Sequence, residues 1–354
     1  MKRLQVCLTI LNLVLTEDFK LKIMKAKTLY AMIFLSIICS CSNDNNLPNV
    51  EPIPDLTLNN LVELNSNIPQ DFYNDLTFTN ENTGYAVSRL GKIVKTTDGG
   101  TTWFLLTSTV NFYLKKIQFV NPNIGYVIGG DNTGSYLLKT TNAGQSWSVI
   151  NLNSIEKGFP TGMYFKNENE GYITGNKLFI KTSNGGLNWI NILTNTSENF
   201  SDVKFRDNNF GIATANSSNY YKSTNGGATW QSIDLINQNN LSQIYFNSNK
   251  TFIKSGNQLV DIDGGRSITL PNPVNKLQFL NATKSIGIGQ HYETGFFPYG
   301  DIFLTNNSWT TFLQKSYQFS REAGDFTAIA KVNNHKTMLL GTGQLYTKVI
   351  TLTY

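Results

Sequence analysis

The sequence TTDGGTTW at residues 96–103 separates one run of strand-forming residues from the next. Similar stretches occur at residues 140–147 (TTNAGQSW), 182–189 (TSNGGLNW) and 223–230 (STNGGATW). An acid or amide followed by glycine between two hydrophobic runs is typical of a tight turn between antiparallel strands. We call these four stretches the boxed turns. Their recurrence predicts a protein built from repeated β-sheet units.

Each boxed turn ends a longer repeat. The repeat starts with a β-rich triplet and continues through a polar turn, a strand that begins with glycine and an aromatic residue, and a strand that ends in Lys-Thr or Lys-Ser, as in residues 115–147. Seven triplets follow one another at intervals of about 42 residues, a spacing typical of propeller blades with four short strands. They are LTF (76–78), IQF (117–119), MYF (163–165), VKF (203–205), IYF (244–246), LQF (277–279) and TAI (327–329). The predicted fold class is therefore all-β, a seven-bladed β-propeller at residues 59–354.

The last three units depart from the boxed pattern. The fifth has IDGGRSI (262–268), with Ile in the place of Trp, and the sixth is shortened to TNNSW (305–309). The seventh ends at residues 343–354 without a boxed turn, whereas LVELNSN (61–67) precedes the first triplet and has no blade of its own. We expect residues 61–67 to complete the last blade, because closure by an N-terminal strand removes two open sheet edges.

The boxed turns are predicted to be structural rather than catalytic. Asp98 is replaced by Asn142, Asn184 and Asn225 in the next three copies. An amide accepts the same turn hydrogen bonds but cannot act as an acid or base. We expect the glycines to adopt positive φ and the tryptophans to pack between neighbouring sheets. The predicted structural residues are Asp98, Gly100, Trp103, Asn142, Gly144, Trp147, Asn184, Gly186, Trp189, Asn225, Gly227 and Trp230.

The N-terminal part has the features of an exported protein. In residues 24–40 two lysines precede an apolar stretch and small residues follow it, which is typical of a secretory signal. The sequence ICSC at residues 38–41 resembles a bacterial lipobox, which implies a lipid anchor on Cys41; the alternative is an ordinary signal peptide with an unrelated cysteine. We expect residues 1–23 to be an extension from a misplaced start codon and residues 41–58 to be a flexible tether.

The residue after Cys41 bears on the location. Ser42 is not the aspartate associated with retention in the inner membrane. The predicted location is therefore the cell envelope, as an outer-membrane lipoprotein that faces either the periplasm or the outside.

Charge and cysteine content exclude several classes of function. Of the 29 Lys and Arg, six precede residue 41, as do two of the 24 Asp and Glu, so the predicted propeller is nearly neutral. Nucleic-acid binding needs a clustered basic surface and is not expected. The cysteines are Cys7, Cys39 and Cys41, so no disulfide can cross-link the repeats. His291 and His335 lack partners at metal-ligand spacing, and nucleotide motifs are missing, so no metal or cofactor is expected.

The boxed turns are similar to the Asp-box, or BNR, repeat, whose pattern is Ser/Thr-x-Asp-x-Gly-x-Thr/Ser-Trp. Combined with the Gly-Tyr strands and the ending KTTDGGTTW, residues 60–354 resemble most the photosystem II stability and assembly factor family. The resemblance implies a seven-bladed propeller. The arginine patch associated with those assembly factors has no evident counterpart among so few arginines, and a bacterial surface protein has no photosystem to assemble.

Sialidases also contain Asp-boxes, which makes a sialidase-like glycoside hydrolase the alternative function. A sialidase needs three arginines that converge on the substrate carboxylate, because the planar guanidinium binds it bidentately. The chain after Cys41 has Arg89, Arg206, Arg266 and Arg321. Of these, Arg206 and Arg266 are predicted on the face of the boxed turns, away from the usual ligand side. No catalytic residue is predicted, and a glycosidase with two opposed carboxylates stays open.

The sixth unit contains an insertion between its second and third strands, GQHYETGFFPYG (289–300). Its topology predicts a loop on the face opposite the boxed turns, where exposed aromatic residues can be recognition anchors. The candidate ligand residues are His291, Tyr292, Glu293, Phe296, Phe297 and Tyr299. Alternatively, Phe296 and Phe297 fold inward and plug the central channel.

The predicted function is that of a non-enzymatic envelope lipoprotein, a monomer that binds a protein or a glycan as a scaffold. The predicted partners are thus an unknown protein or glycan and the membrane, through the lipid anchor. A propeller with only a packing role in the envelope is a third possibility.

Overall fold

Four β-rich runs per repeat, separated by turn residues, give four-stranded antiparallel sheets. The computed structural model describes residues 52–354 apart from 107–109, 154–157, 194–196, 293–297, 320–323 and 344–346. These described residues form seven sheets, the blades of the predicted propeller. The predicted signal, Cys41 and residues 1–23 lie outside them, as do Glu293, Phe296, Phe297 and Arg321.

The first three blades follow chain order from the innermost to the outermost strand. Blade 1 consists of β2 (Tyr73–Phe78), β3 (Gly84–Ser88), β4 (Ile93–Thr96) and β5 (Phe104–Leu106). Blade 2 consists of β6 (Tyr113–Phe119), β7 (Gly125–Asp131), β8 (Gly134–Thr140) and β9 (Ser148–Asn151). Blade 3 consists of β10 (Pro160–Phe165), β11 (Gly171–Gly175), β12 (Leu178–Thr182) and β13 (Ile190–Asn191).

The next three blades have the same order. Blade 4 consists of β14 (Phe200–Phe205), β15 (Gly211–Ala215), β16 (Asn219–Ser223) and β17 (Gln231–Asp234). Blade 5 consists of β18 (Leu241–Asn247), β19 (Lys250–Ser255), β20 (Gln258–Asp261) and β21 (Arg266–Thr269). Blade 6 consists of β22 (Val274–Phe279), β23 (Ser285–Tyr292), β24 (Pro298–Thr305) and β25 (Leu313–Gln318).

Blade 7 joins the two ends of the propeller. Its inner strands are β26 (Gly324–Asn333), β27 (Lys336–Gly343) and β28 (Thr347–Thr353), and its outermost strand is β1 (Leu61–Leu64), which follows a 3-10 helix at Leu58–Asn60. Strand β1 pairs antiparallel with β28, with Leu61 opposite Leu352 and Leu64 opposite Val349. The predicted closure by an N-terminal strand is confirmed.

The folded part begins before residue 59, where the tether was predicted to end. Leu56 is buried, and Asn306 forms two hydrogen bonds with its backbone, of 2.8 and 3.1 Å. Lys284 Nζ lies 2.9 Å from Asp55 Oδ1. An apolar residue inside a polar segment therefore fixes this part of the chain to blade 6.

The hydrophobic core consists of separate clusters, each shared by two neighbouring blades. Between blades 1 and 2, for example, Tyr85 packs with Leu114 and Trp147. Trp103 lies in the cluster between blades 7 and 1, Trp189 between blades 2 and 3, and Trp230 between blades 3 and 4. The prediction that the tryptophans pack between sheets is confirmed.

The buried acceptor of the boxed turn is the hydroxyl two residues before the acid or amide. Thr96 is fully buried, and its Oγ1 accepts a hydrogen bond of 2.9 Å from the Gly100 N–H while it donates to Asp98 Oδ1. The same buried bond is repeated in three other turns, to Thr140, Thr182 and Ser223. Asp98, by contrast, is exposed.

Asp98 and the amides that replace it make equivalent contacts. Asp98 accepts hydrogen bonds from the Thr101 and Thr102 N–H groups. Burial opposes its ionisation, but the bonds from Thr102, Thr96 and Thr101 together lower the pKa of Asp98 below its usual value. Asn142 Oδ1 accepts the Ser146 N–H at 3.0 Å, and its Nδ2 donates to Ser146 Oγ at 2.9 Å. An amide therefore preserves the turn.

The boxed turn also connects its blade to the preceding one. The carbonyl of Ala143 in blade 2 accepts hydrogen bonds from Tyr85 Oη (3.0 Å) and Lys95 Nζ (3.1 Å) of blade 1. Gly100 has a φ of +97°, and a Cβ added to it would lie 2.1 Å from Met338 Cε of blade 7. The positive φ therefore favours glycine there, and a side chain would also displace the end of Met338.

The fifth and sixth units replace the boxed turn in different ways. In blade 5, Asp261 accepts the turn N–H groups of Asp263 and Gly264. In blade 6 the predicted shortening is wrong, since Thr311 N–H donates to Asn307 Oδ1 at 2.9 Å as in a complete box. Trp309 occupies the place of the second glycine there, with a φ of +68° and a buried indole.

We predict that Thr96→Val lowers the free energy of unfolding by about 1–3 kcal/mol, because it leaves the Gly100 N–H buried without an acceptor. Asp98→Asn in the same turn is the matched control, and we expect it to cost less than about 1 kcal/mol, since its hydrogen bonds are exposed. Urea denaturation of both variants measures the difference. An Asp98→Asn protein that loses as much stability as Thr96→Val would contradict this assignment.

Candidate functional site

The innermost strands of all seven blades surround one axial channel with a cavity of about 710 Å³. Consecutive strands of a blade are antiparallel, so the boxed turns lie on one face, which we call the box face. The connections between blades lie on the other, which we call the crossover face. Every innermost strand starts at the crossover face, and side chains near these starts therefore line the channel at that end.

Each innermost strand has a β-bulge near its start. The register shifts at Asn74, Lys115, Thr161, Ser201, Ser242–Gln243, Asn275 and Thr327. Each of these residues is polar and lines the channel. A bulge leaves one residue out of the ladder and changes the direction of its side chain. The channel therefore has a ring of polar side chains that strand alternation alone does not predict.

The bulges are held in place by hydrogen bonds between blades. Asn74 Nδ2 donates to the Leu114 carbonyl of the next blade at 2.7 Å. Thr161 Oγ1 donates to the Phe200 carbonyl at 2.6 Å. Such contacts between polar side chains and the neighbouring backbone fix the positions of the channel residues before any ligand binds.

Charged residues precede four of the seven triplets and meet in the channel. They are Asp75, Lys116, Asp202 and Lys276. Lys116 Nζ lies 2.7 Å from Asp202 Oδ1, and Lys204 Nζ lies 3.8 Å from Asp202 Oδ2. Burial opposes the ionised form of Asp202, but the charges of Lys116 and Lys204 keep its pKa below the usual value.

Lys276 is bound by carbonyls rather than by a carboxylate. Its Nζ donates to the carbonyls of Thr327 (2.6 Å) and Asn74 (2.7 Å). Among the described residues no carboxylate lies within 4 Å of this ammonium. Burial lowers the pKa of Lys276, and the nearby charges of Lys115 and Lys116 lower it further, against the effect of Asp75.

Asp325, at the start of β26, is a second perturbed carboxyl of the channel. Its Oδ1 is buried and has no hydrogen-bond partner among the described residues. Burial raises the pKa of Asp325 to about 7, with Lys276 acting against this and the charge of Asp301 adding to it. Arg89, from the β3–β4 connection, lines the same cavity. The crossover end of the channel thus combines several cations with a carboxyl that is partly protonated at neutral pH.

The insertion of blade 6 is more regular than the predicted loop. Its described residues extend β23 and β24 as a ribbon, with His291 opposite Tyr299 and Tyr292 opposite Pro298. The buried carboxylate of Asp301 lies 2.5 Å from His291 Nδ1. Tyr292 is 67% exposed. Cross-strand pairing explains the regularity, since both arms of the insertion continue the existing ladder.

The remaining candidate ligand residues, Glu293, Phe296 and Phe297, lie outside the described residues. Whether these aromatics bind a partner or plug the channel therefore stays a prediction. The histidine and Asp301 that meet across the ribbon are ten residues apart in sequence. Only a hairpin that continues β23 and β24 into the insertion brings them together, whereas the glycines of the insertion favour a loop.

The described arginines do not form a common site. Arg206 lies on the box face, with its guanidinium 4.0 Å from the Phe210 ring centre and 3.0 Å from the Asn249 carbonyl. Arg266 begins the exposed outermost strand of blade 5, and Arg89 alone of the three lines the channel. The described residues also contain no group of three potential metal ligands, and none of their helices is long and apolar enough to cross a membrane.

A profile of the family described as photosynthesis system II assembly factor YCF48 matches residues 58–197, which include β1 and blades 1 to 3. No curated protein matches the sequence significantly. The chain is thus a BNR-type propeller that resembles the photosystem II assembly factor.

Several solved structures share the fold. The structure described as YCF48 bound to D1 peptide has a TM-score of 0.63 and 17% identity, over 86% of this chain and 100% of that one. YCF48 from Cyanidioschyzon merolae has a TM-score of 0.63 and 15% identity, over 83% and 98%. The GH74 enzyme of Niastella koreensis has a TM-score of 0.63 and 15% identity, over 77% of this chain and 52% of the enzyme. At these identities the likeness concerns the fold alone.

We predict that Asp325→Asn changes the pH dependence of stability. The folded-state pKa of Asp325, about 7, lies above its unfolded value, so its contribution is fully present below the unfolded pKa and lost as pH rises through 7. Relative to the wild type, the variant should gain about 2 kcal/mol between pH 5 and pH 8. Denaturation at both pH values measures this gain. Asp131→Asn, at an exposed turn whose carboxyl has a lowered pKa, should show none; an equal gain there would contradict the prediction.

Proposed function

We propose that this protein is a non-enzymatic scaffold of the cell envelope that binds a partner protein on its crossover face and is anchored through Cys41. One observation carries the binding part: the channel opens on this face with a ring of preorganised polar and charged side chains. The similarity in fold to a YCF48 structure with a bound D1 peptide supports a protein rather than a glycan as the partner. Binding surfaces of propellers and other scaffolds depend on such positioned groups.

The crossover face also offers an aromatic anchor on blade 6. Tyr292 extends from the blade 6 ribbon and is largely exposed. Tyrosine is enriched among the residues that dominate binding energy at protein interfaces. The contact between the half-buried His291 and the buried Asp301 holds the ribbon that presents it. A rigid ribbon and a charged channel together suit the capture of an extended segment of a partner.

The envelope location rests on residues 24–41. Their basic start, apolar stretch and terminal cysteine support export and lipidation. A Cys41→Ser protein should then lose both the incorporation of labelled palmitate and its place in the membrane fraction. Palmitate incorporation that is unchanged in this variant would remove the anchor from the proposal.

We expect Arg89→Gln and Tyr292→Ala to reduce the capture of a partner at least fivefold, because both residues lie on the crossover face. The assay is chemical crosslinking of the tagged full chain in intact cells, followed by quantitative mass spectrometry. Arg266→Gln is the control, since it removes the same charge from the outermost strand of blade 5. A partner that all three variants capture equally would place binding elsewhere and contradict the proposal.

Glycoside hydrolysis is the second candidate. It is favoured by one observation: Asp325 is a carboxyl in a cavity, and its pKa is raised to about 7, as general acids require. A panel of fluorogenic glycosides that includes sialosides tests it. We expect no turnover, and turnover abolished by Asp325→Asn would establish the hydrolase instead of the scaffold.

A further inference from the structure

We propose that the crossover end of the axial channel is a binding site for a carboxylate group, supplied by an acidic side chain of the partner protein. This inference rests on the proposed function for the identity of the donor, but the site itself follows from the channel. A free organic dicarboxylate has the same chemistry and would enter the same site.

The wall of the cavity has an excess of positive charge. Among the described residues that line it, five carry a positive charge and three carry a carboxylate. The cations are Arg89, Lys115, Lys116, Lys204 and Lys276, and the carboxylates are Asp75, Asp202 and Asp325. The sequence after Cys41 is nearly neutral, so this excess is local. Like charges enclosed together repel, and an anion between them relieves the repulsion.

The lysine ammonium groups of the channel have hydrogen-bond donors available for an anion. A lysine ammonium has three N–H donors. Within the described residues, Lys116 Nζ donates to Asp202, Lys204 Nζ to the Ile244 carbonyl (2.7 Å) and Lys276 Nζ to two carbonyls. These bonds hold each group in position and leave further donors for a ligand. Preorganised ammonium groups of this kind lose little freedom when an anion binds.

The charge and size of the cavity favour a carboxylate over a multiply charged anion. The excess of the wall is two to three charges, depending on the protonation of Asp325, whereas phosphate clusters and nucleic acids need many more. Asp325 lines the cavity and is partly protonated at neutral pH, so it can donate an O–H to a carboxylate, which is among the stronger hydrogen bonds. The cavity of about 710 Å³ has room for a few side chains or a small acid but not for a folded domain.

The protonation state of Asp325 makes the affinity of the site depend on pH. When Asp325 ionises, it can no longer donate a proton to the ligand and it repels the ligand's charge. The other charged groups near it are Arg89 and Lys276, with Asp301 on blade 6 and with Asp75 and Lys115 on blades 1 and 2 of the same cavity. Burial lowers the pKa of Lys276, and loss of its proton at higher pH weakens binding in the same direction. Affinity should therefore fall as pH rises from 6 to 8.

Isothermal titration calorimetry of the full chain with glutarate and with a Glu-rich decapeptide tests the site, with a Gln-substituted decapeptide as the uncharged control. We expect both acids to bind at pH 6 and to bind at least fivefold more weakly at pH 8. Lys276→Met should weaken binding at least tenfold, and Lys222→Met, which removes a lysine outside the channel, should change it less than twofold. Because Lys276 connects three blades, Lys276→Met also removes contacts that stabilise the fold. Arg89→Gln, at an exposed position, is therefore the second variant.

Asp325→Asn supplies the sharpest comparison. The amide cannot ionise, so this variant should lose most of the decrease between pH 6 and pH 8. Binding of glutarate but not of the Glu-rich peptide would assign the site to a free acid instead of a partner's side chain. Failure of both acids to bind, or equal binding by wild type, Lys276→Met and Arg89→Gln, would overturn the inference. The scaffold proposal would survive that outcome if crosslinking still depended on Tyr292, so the two failures are distinguishable.

Discussion

The structure depends on how each blade is joined to the one before it. A lone four-stranded sheet exposes both of its faces, and a propeller becomes stable only when neighbouring sheets bury them together. The boxed turn supplies the joint. A buried Thr or Ser hydroxyl shapes the turn, its tryptophan packs between two sheets, and its carbonyl accepts hydrogen bonds from the preceding blade, as Tyr85 and Lys95 show at Ala143. In blade 7 the N-terminal strand β1 pairs with β28 and so joins the two ends of the propeller.

The two faces of the propeller therefore have different roles. The box face uses its polar groups for connections between blades, and even Arg206 is bound there by Phe210 and the Asn249 carbonyl. On the crossover face, polar bulge residues and the charged residues beside them line the channel. Asp75, Lys116, Asp202 and Lys276 thus bring lysines and carboxylates of different blades into one cluster.

Much of the fold was predictable from sequence, since triplets, Gly-Tyr strands and boxed turns recur with a period that only stacked blades explain. The channel was not, because Asp75, Lys116, Asp202 and Lys276 belong to different repeats and bear no resemblance to one another. A signal did exist: each of them directly precedes its triplet. The predicted position of Trp309 in the sixth boxed turn was wrong for a different reason. Its indole was taken to be the boxed tryptophan, whereas it fills the position of a glycine, in a turn completed by Thr311.

Native-state hydrogen exchange tests the central claim, that the boxed turns are structural joints, most directly. The amides of Gly100, Gly144, Gly186 and Gly227 each donate to a buried hydroxyl. They should exchange only through global unfolding, with the same free energy as the inner strands. Exchange of these four amides at the rate of ordinary surface turns would contradict the account.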